Sequence, residues 1–350
     1  FRYKVLDPLG VDETIYRLLH NNFVKPEQIF ISTITDIAQA VKEQAAKMGI
    51  PEANIIIEPE LADSGAAIGY AAAVIENRVP DAIMAVLTAD HIITPFEVFH
   101  EALLKAAKLA NLGPYLITMG IKTTRSDTGF GYLNFGDESN VTQGIYEVIE
   151  FKEKPDQKSA QAFHANPNFF WNSGMFIWKT KIILEAFKFF QEDYYQGIER
   201  ISKALNTEDE LKVTQEVFKT FKSYKDNGSP SGKVLKGKNS IDYLIMEPTG
   251  RKEHATLRVM GVPGIFNWID VGNLGYPVRE VNVDIIDTNN NIVVGKGKAI
   301  LTDTEGSNIL TSENRTIIVK GAQKLIIADD AFAHATVILP LDNAQDVKDM

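Results

Sequence analysis

Four short apolar runs, residues 29–32, 54–58, 82–87 and 115–121, alternate with segments of helical spacing through the first third of the chain. Each run is rich in Ile, Val and Leu and bounded by polar, Pro or Gly residues, the pattern of buried strands in a parallel sheet. The clearest intervening segment puts Phe96, Phe99, Leu103, Ala106 and Ala110 on one helical face. Its start reads Thr94-Pro95-Phe96-Glu97: a Thr cap, Pro in the first turn and Glu three residues after the cap. Strand and helix in alternation predict a doubly wound α/β domain, in which ligands bind at the carboxyl ends of the strands.

The pattern changes further along. Residues 131–178 read as strands with polar interruptions, and 181–205 and 208–221 as helices. Residues 226–238 read as an exposed loop and 240–246 as a short helix. From 291 onward, short β-type runs recur between turn residues without an exact repeat, which predicts a small β-helix-like C-terminal domain. The expected division is 1–275 and 291–350.

A net charge of −10 at pH 7 argues against a broad nucleic-acid surface, but not against a nucleotide held by a few local donors and a metal. No apolar run approaches the roughly 18 residues of a membrane span. With no cysteine, disulfides and thiolate metal sites are excluded, which fits a reducing cytoplasm. The first residues lack a signal-peptide pattern and an initiator Met, and the expectation is that a preceding segment is missing.

Several residues can carry chemistry. Asp90, in Thr88-Ala89-Asp90-His91, follows a buried run, where a carboxylate reaches a metal or ribose or caps the next helix. His91 reads as a structural histidine. Asp127-Thr128-Gly129-Phe130-Gly131-Tyr132 is either a glycine-lined approach to a ligand or a hairpin turn. Glu153-Lys154-Pro155 places acid and base on opposite sides if the chain stays extended, either to meet sugar hydroxyls and a phosphate or as a solvated charged turn. Asn172 and Ser173 sit in an otherwise apolar stretch, so Asn172 needs partners from a ligand or from a structural turn. Asp270, in Trp268-Ile269-Asp270-Val271-Gly272, is a second acid that can hold Mg²⁺ with Asp90 if the two converge. Asp242 reads as a helix-start cap.

In order along the chain, TADH at 88–91, DTGFGYL at 127–133, EKPD at 153–156, WNSGMF at 171–176, SIDYLIME at 240–247 and WIDVG at 268–272 resemble the mannose-1-phosphate guanylyltransferase branch of the nucleotide-sugar pyrophosphorylases. The resemblance runs from about residue 5 to the C-terminus. It implies a Rossmann-like mixed sheet, a Mg²⁺-dependent transfer of GMP from GTP to mannose 1-phosphate, and a homodimer. By it, Asp90 and Asp270 match the metal-binding acids. Gly131, Glu153 and Asn172 match positions that hold the sugar, and Lys154 matches a lysine near the sugar phosphate. Two segments depart from the family pattern. The opening strand and glycine-rich phosphate loop are absent, and Lys4 is the nearest counterpart of the phosphate-binding lysine that follows them. The missing strand is expected in the middle of the sheet. The base-recognition segment reads Ala62-Asp63-Ser64-Gly65-Ala66, with Asp63 and Ser64 as its candidates. Competing readings are the same chemistry on another nucleotide and sugar 1-phosphate, or a silent nucleotide-sugar sensor.

Overall fold

The computed structural model describes residues 11–270, 289, 291–295, 298–311, 316–330 and 335–340. The chain divides into two compact units. One comprises residues 21–87 and 95–266, and the other residues 1–20, 88–94 and 267–350. The boundary expected at 275–291 falls almost wholly outside the described residues.

The larger unit is a mixed α/β assembly. Strands β1 (Ile31–Ile34) and β2 (Ile55–Glu58) pair in parallel, with helix α2 (Ala38–Lys47) between them in sequence. Helix α3 (Asp63–Arg78) leads to β3 (Ile83–Val86). The expected four-strand parallel arrangement is not what forms. Among the described residues β1 pairs only with β2, and β3 pairs antiparallel with β8 (Phe169–Lys179) at the edge of a six-stranded sheet. The remaining strands of that sheet are β5 (Tyr115–Lys122), β6 (Gly131–Glu138), β7 (Tyr146–Lys152) and β9 (Arg258–Gly264), in the order β3-β8-β5-β9-β7-β6. β5 runs parallel to β9 and antiparallel to β8.

Helices cover both faces of the sheet, so its central strands are buried almost throughout. α3, α6 (Thr180–Phe190), α7 (Glu192–Ala204) and α8 (Glu210–Asn227) share one core with Leu116 and Val259 of the sheet. α4 (Phe96–Ala110) packs on β5, β8 and β9 through Phe99, Leu103 and Ala106, the face read from its spacing. The short α5 (Gln157–Ala165), capped by Asp156, lies against β8. Two local expectations fail. Thr94 does not cap α4, because its backbone belongs to a strand and the capping position is Pro95. The helix expected over 181–205 breaks at Gln191 (φ −136°, ψ 63°), whose side-chain amide donates to the backbone oxygen of Leu244 at 3.1 Å. That bond satisfies a buried carbonyl in a π-helical turn, Asp242–Met246.

In the smaller unit, β4 (His91–Thr94) pairs antiparallel with β10 (Asn267–Asp270), and helix α1 (Val11–Leu19) touches β4. The C-terminal strands β11 (Ile292–Gly295), β13 (Asn308–Thr311) and β15 (Leu325–Asp330) stack in parallel, as do β12 (Lys298–Thr302) and β14 (Thr316–Lys320). β16 (Ala335–Pro340) turns back antiparallel on β15. Two stacks fed alternately by one chain, closed over Ile309, Val319 and Ile327, make this part β-helix-like. Asn308 faces Ile292 on one side and Ile326 on the other, so successive coils differ in length and no exact repeat is visible in the sequence.

Candidate functional site

The smaller unit carries an acid cluster. Pairing of β10 with β4 sets Asp270 opposite His91, one residue after Asp90. One ligand atom each of Asp90, His91 and Asp270 lies within 4.8 Å of the others. The helix-cap alternative for Asp90 is thereby excluded, since a strand and not a helix follows it. Arg17 of α1, fully buried, donates from Nη1 to the backbone oxygen of His91 at 3.1 Å and holds the segment that presents Asp90. Trp268 meets the His91 ring edge-on at 4.9 Å between centroids, and Thr88 Oγ1 stands 2.6 Å from its Nδ1. Burial, against the opposing charge of Asp90 and with the help of Arg17, pushes His91 down to about 4, so its ring is neutral at pH 7. Both acids are partly exposed. Two carboxylate oxygens that water and phosphate can approach suit a hard divalent ion such as Mg²⁺. Of the WIDVG segment, Val271 and Gly272 lie outside the described residues, as does Lys4.

A second cluster lies in the larger unit. Asn172 sits on β8, opposite Gly120 of β5 on one side and Gly131 of β6 on the other. Its Oδ1 accepts from Thr118 Oγ1 at 3.0 Å and from the Gly174 N–H at 3.3 Å. Its Nδ2 donates to Asp242 Oδ1 at 2.8 Å. Glu153 and Lys154 do not point apart as an extended chain would have them. Lys154 takes a φ of +43°, in the left-handed region, and its Nζ lies 3.1 Å from Glu153 Oε1. Burial, then the charge of Asp242, raises the Glu153 carboxyl to about 7 against the opposing pull of Lys154. Burial also pushes Asp242 up, opposed first by Lys154. Burial works against the Lys154 ammonium, yet Glu153 and Asp242 outweigh it and raise its pKa. More than half of the Lys154 side chain is exposed, so the ammonium can meet an anion. The cluster thus offers two carboxyl groups, one fixed amide and one cation, the set that recognises a hydroxylated anion.

Gly131 has a reason within the protein itself. A Cβ there would collide with Glu153 Oε2 and stand 3.2 Å from Asn172 Cβ, so the glycine makes room for the carboxylate. Upstream, Asp127 Oδ1 accepts from the Gly129 N–H at 2.8 Å and the Tyr132 hydroxyl donates to the Asp127 carbonyl at 3.0 Å, so this segment is a tight turn.

Asp63 and Ser64 open α3. Asp63, at φ +74°, accepts the Ser64 N–H at 2.8 Å, and Ser64 Oγ accepts the Ile241 N–H at 3.0 Å. Next to them, the Gly65 N–H donates to the Asn239 carbonyl at 3.1 Å, and a Cβ on Gly65 would lie 2.5 Å from that oxygen. The start of α3 is therefore tied to residues 239–241, which lead directly into Asp242. Asp242 and Thr118 were not singled out as site residues by sequence reasoning. Thr118 is hidden in an apolar run, and Asp242 reads as a helix-start cap.

Glu58, at the end of β2, accepts from Ser32 Oγ at 2.8 Å, and burial raises its pKa from 4.5 to about 7. Between those values the folded protein keeps a proton that the unfolded chain has released, so stability falls as pH rises through the window. Glu58→Gln is expected to stabilise the protein by on the order of 2 kcal/mol at about pH 8 and to change little at about pH 5. Denaturant titrations at the two pH values check this. An equal effect at both would assign the change to packing.

The nucleotidyl transferase family matches residues 6–277. The chain is 28% identical over 339 residues to the alginate biosynthesis protein AlgA of Pseudomonas putida, covering 97% of this chain and 63% of that one. It is 29% identical over 310 residues to a mannose-1-phosphate guanylyltransferase of Klebsiella pneumoniae, covering 88% and 59%. It thus spans less than two thirds of the length of either relative. Its fold is similar to the crystal structure of a mannose-1-phosphate geranyltransferase from Thermus thermophilus, with a TM-score of 0.74 and 24% identity over 97% of this chain and 87% of that one. With the family match extending over most of its length, the chain belongs to the nucleotidyl transferase family.

Proposed function

We propose that the chain transfers GMP from GTP to mannose 1-phosphate, giving GDP-mannose and pyrophosphate. The observation that carries the reading is the meeting of Asp90 and Asp270, far apart in sequence, within one group of ligand atoms. Family membership and the names of the curated relatives support guanylyl transfer to a mannose phosphate.

In this reading Asp90 and Asp270 hold Mg²⁺, with His91 beside them. The ion would neutralise charge on the phosphates when bound. Glu153 and Asn172 take sugar hydroxyls, and Lys154 meets the sugar phosphate. An oxygen of that phosphate forms the new bond to the α-phosphorus, and pyrophosphate leaves with the electron pair of the broken bond. Positioning and charge neutralisation carry the catalysis, and no protein nucleophile is needed. Asp63 and Ser64 belong to the base side. Their departure from the family pattern makes the base the first variable to test. The reading includes a homodimer in the cytoplasm.

Pyrophosphate release should be measured with GTP, dTTP, UTP and ATP, each paired with mannose 1-phosphate or glucose 1-phosphate, with and without Mg²⁺. Fastest release with GTP and mannose 1-phosphate supports the proposal. Faster release with another pair moves the substrate assignment. Tight GDP-mannose binding without release from any pair would make the protein a sensor and overturn the enzymatic reading.

A further inference from the structure

Asparagine has four hydrogen-bonding positions, two acceptor and two donor. At Asn172 three are filled. The Gly174 N–H can only donate, so it must face Oδ1, which turns Nδ2 toward Asp242. Thr118 fills the second lone pair of Oδ1. The amide orientation is therefore dictated by its partners. What remains is one N–H.

We infer that Asp242 is a positioning residue for the sugar-phosphate site: it locks the Asn172 amide so that only an N–H faces the ligand, and the sugar group met there is an acceptor. This rests on the proposed reading of the Glu153–Asn172 cluster and names a residue that the reading did not contain.

Asp242 is itself well anchored. It is the first residue of the π-helical turn. The residue before it is held by Ser64 Oγ, and the Leu244 N–H donates to the Ser240 carbonyl at 3.0 Å. The Leu244 carbonyl is taken by Gln191. π-Helical turns place side chains that a regular helix would aim elsewhere, and they recur at functional sites. A mere helix-start cap would bond its own turn. Here the carboxylate also reaches across to β8.

The test uses the full chain and two variants. Asp242→Ala removes the acceptor. Asp242→Asn keeps an acceptor oxygen of the same shape and removes the charge. Mannose 1-phosphate binding by calorimetry should weaken about ten-fold in Asp242→Ala, the worth of one oriented hydrogen bond. GTP binding should stay within about two-fold, and Asp242→Asn should recover most of the loss. A second readout does not depend on function. In ¹⁵N-asparagine-labelled protein, with the Asn172 side-chain NH₂ pair assigned through Asn172→Ala, one proton should be shifted by its carboxylate partner in the native chain. That shift should vanish in Asp242→Ala and persist in part in Asp242→Asn.

An unchanged NH₂ pair in Asp242→Ala overturns the positioning role whatever the ligand is. Loss of the shift in Asp242→Ala, together with a native chain that binds neither mannose nor glucose 1-phosphate, would leave Asp242 as the lock on Asn172 and overturn the sugar-site reading instead. Equal weakening by both variants would assign the effect to charge, and that too would refute the inference. A 2-deoxyfluoro or 3-deoxyfluoro sugar phosphate completes the test. Fluorine accepts weakly and cannot donate, so at the hydroxyl facing Asn172 it should bind better than hydrogen does.

Discussion

Replacing Asp270 by Asn is expected to lower turnover by about 100-fold or more, on the order of 3 kcal/mol of lost charge stabilisation. Asn has the same shape, and the pairing of β10 with β4 uses only backbone groups, so the fold should persist. Asp90 would then face a divalent ion with one anionic partner fewer. The loss should be partly recovered by raising Mg²⁺, and binding of Mn²⁺ followed by its paramagnetic signal should weaken in parallel. Near-normal turnover with unchanged Mn²⁺ binding would make Asp270 a structural acid. It would also remove the main support for the proposed chemistry, because Asp90 alone does not distinguish a metal site from an ordinary loop carboxylate.

The second large effect is expected at Gly131. Alanine there drives a methyl group into Glu153 Oε2, closer than atoms can approach, on a buried strand with little room to move. The carboxylate must swing away, which separates it from Lys154 and from its place beside Asn172. We expect a loss of about 30-fold in kcat/KM for the sugar phosphate, roughly 2 kcal/mol, with the KM for nucleotide nearly unchanged. Glu153→Gln in the same assay gives the comparison. If Gly131 serves only to keep Glu153 in place, the double variant should be little worse than either single one, because both remove the same interaction. Full additivity would mean that the glycine contacts the ligand on its own account.

The two expectations separate the clusters experimentally. Asp270 should act on the metal and phosphate side, and Gly131 on the sugar side. The Glu58 effect should appear only in stability, since that carboxyl is buried against Ser32.

Much of this protein was legible from local pattern. The apolar runs became β1, β2, β3 and β5, and the face read for α4 is the buried one. The recurring C-terminal runs became a stacked β unit. Three local expectations failed. Thr94 has the residue type of a cap, but strand pairing with Asn267 claims its backbone. Residues 181–205 have continuous helical spacing, but Gln191 is needed by a carbonyl more than fifty positions away. Glu153 and Lys154 would diverge on an extended chain, but a left-handed turn at Lys154 turns them together. In the first two cases a distant partner overrode a local preference worth no more than about 1 kcal/mol; in the third the backbone of Lys154 itself leaves the extended conformation.

The sequence by itself determined the class of each segment and the kinds of chemistry present, because burial periodicity and side-chain functional groups are local properties. It also carried the family, through blocks whose order is preserved. Only the tertiary structure decided which groups meet. Strand pairing has a side-chain period of two, so a one-residue slip of β10 against β4 would turn Asp270 to the opposite face from the one that meets Asp90. The same holds for Asn172, whose amide is set by Thr118 and Asp242, one on a neighbouring strand and one on a turn seventy residues on. Those distances are settled by packing the whole unit, and no window of the sequence contains them.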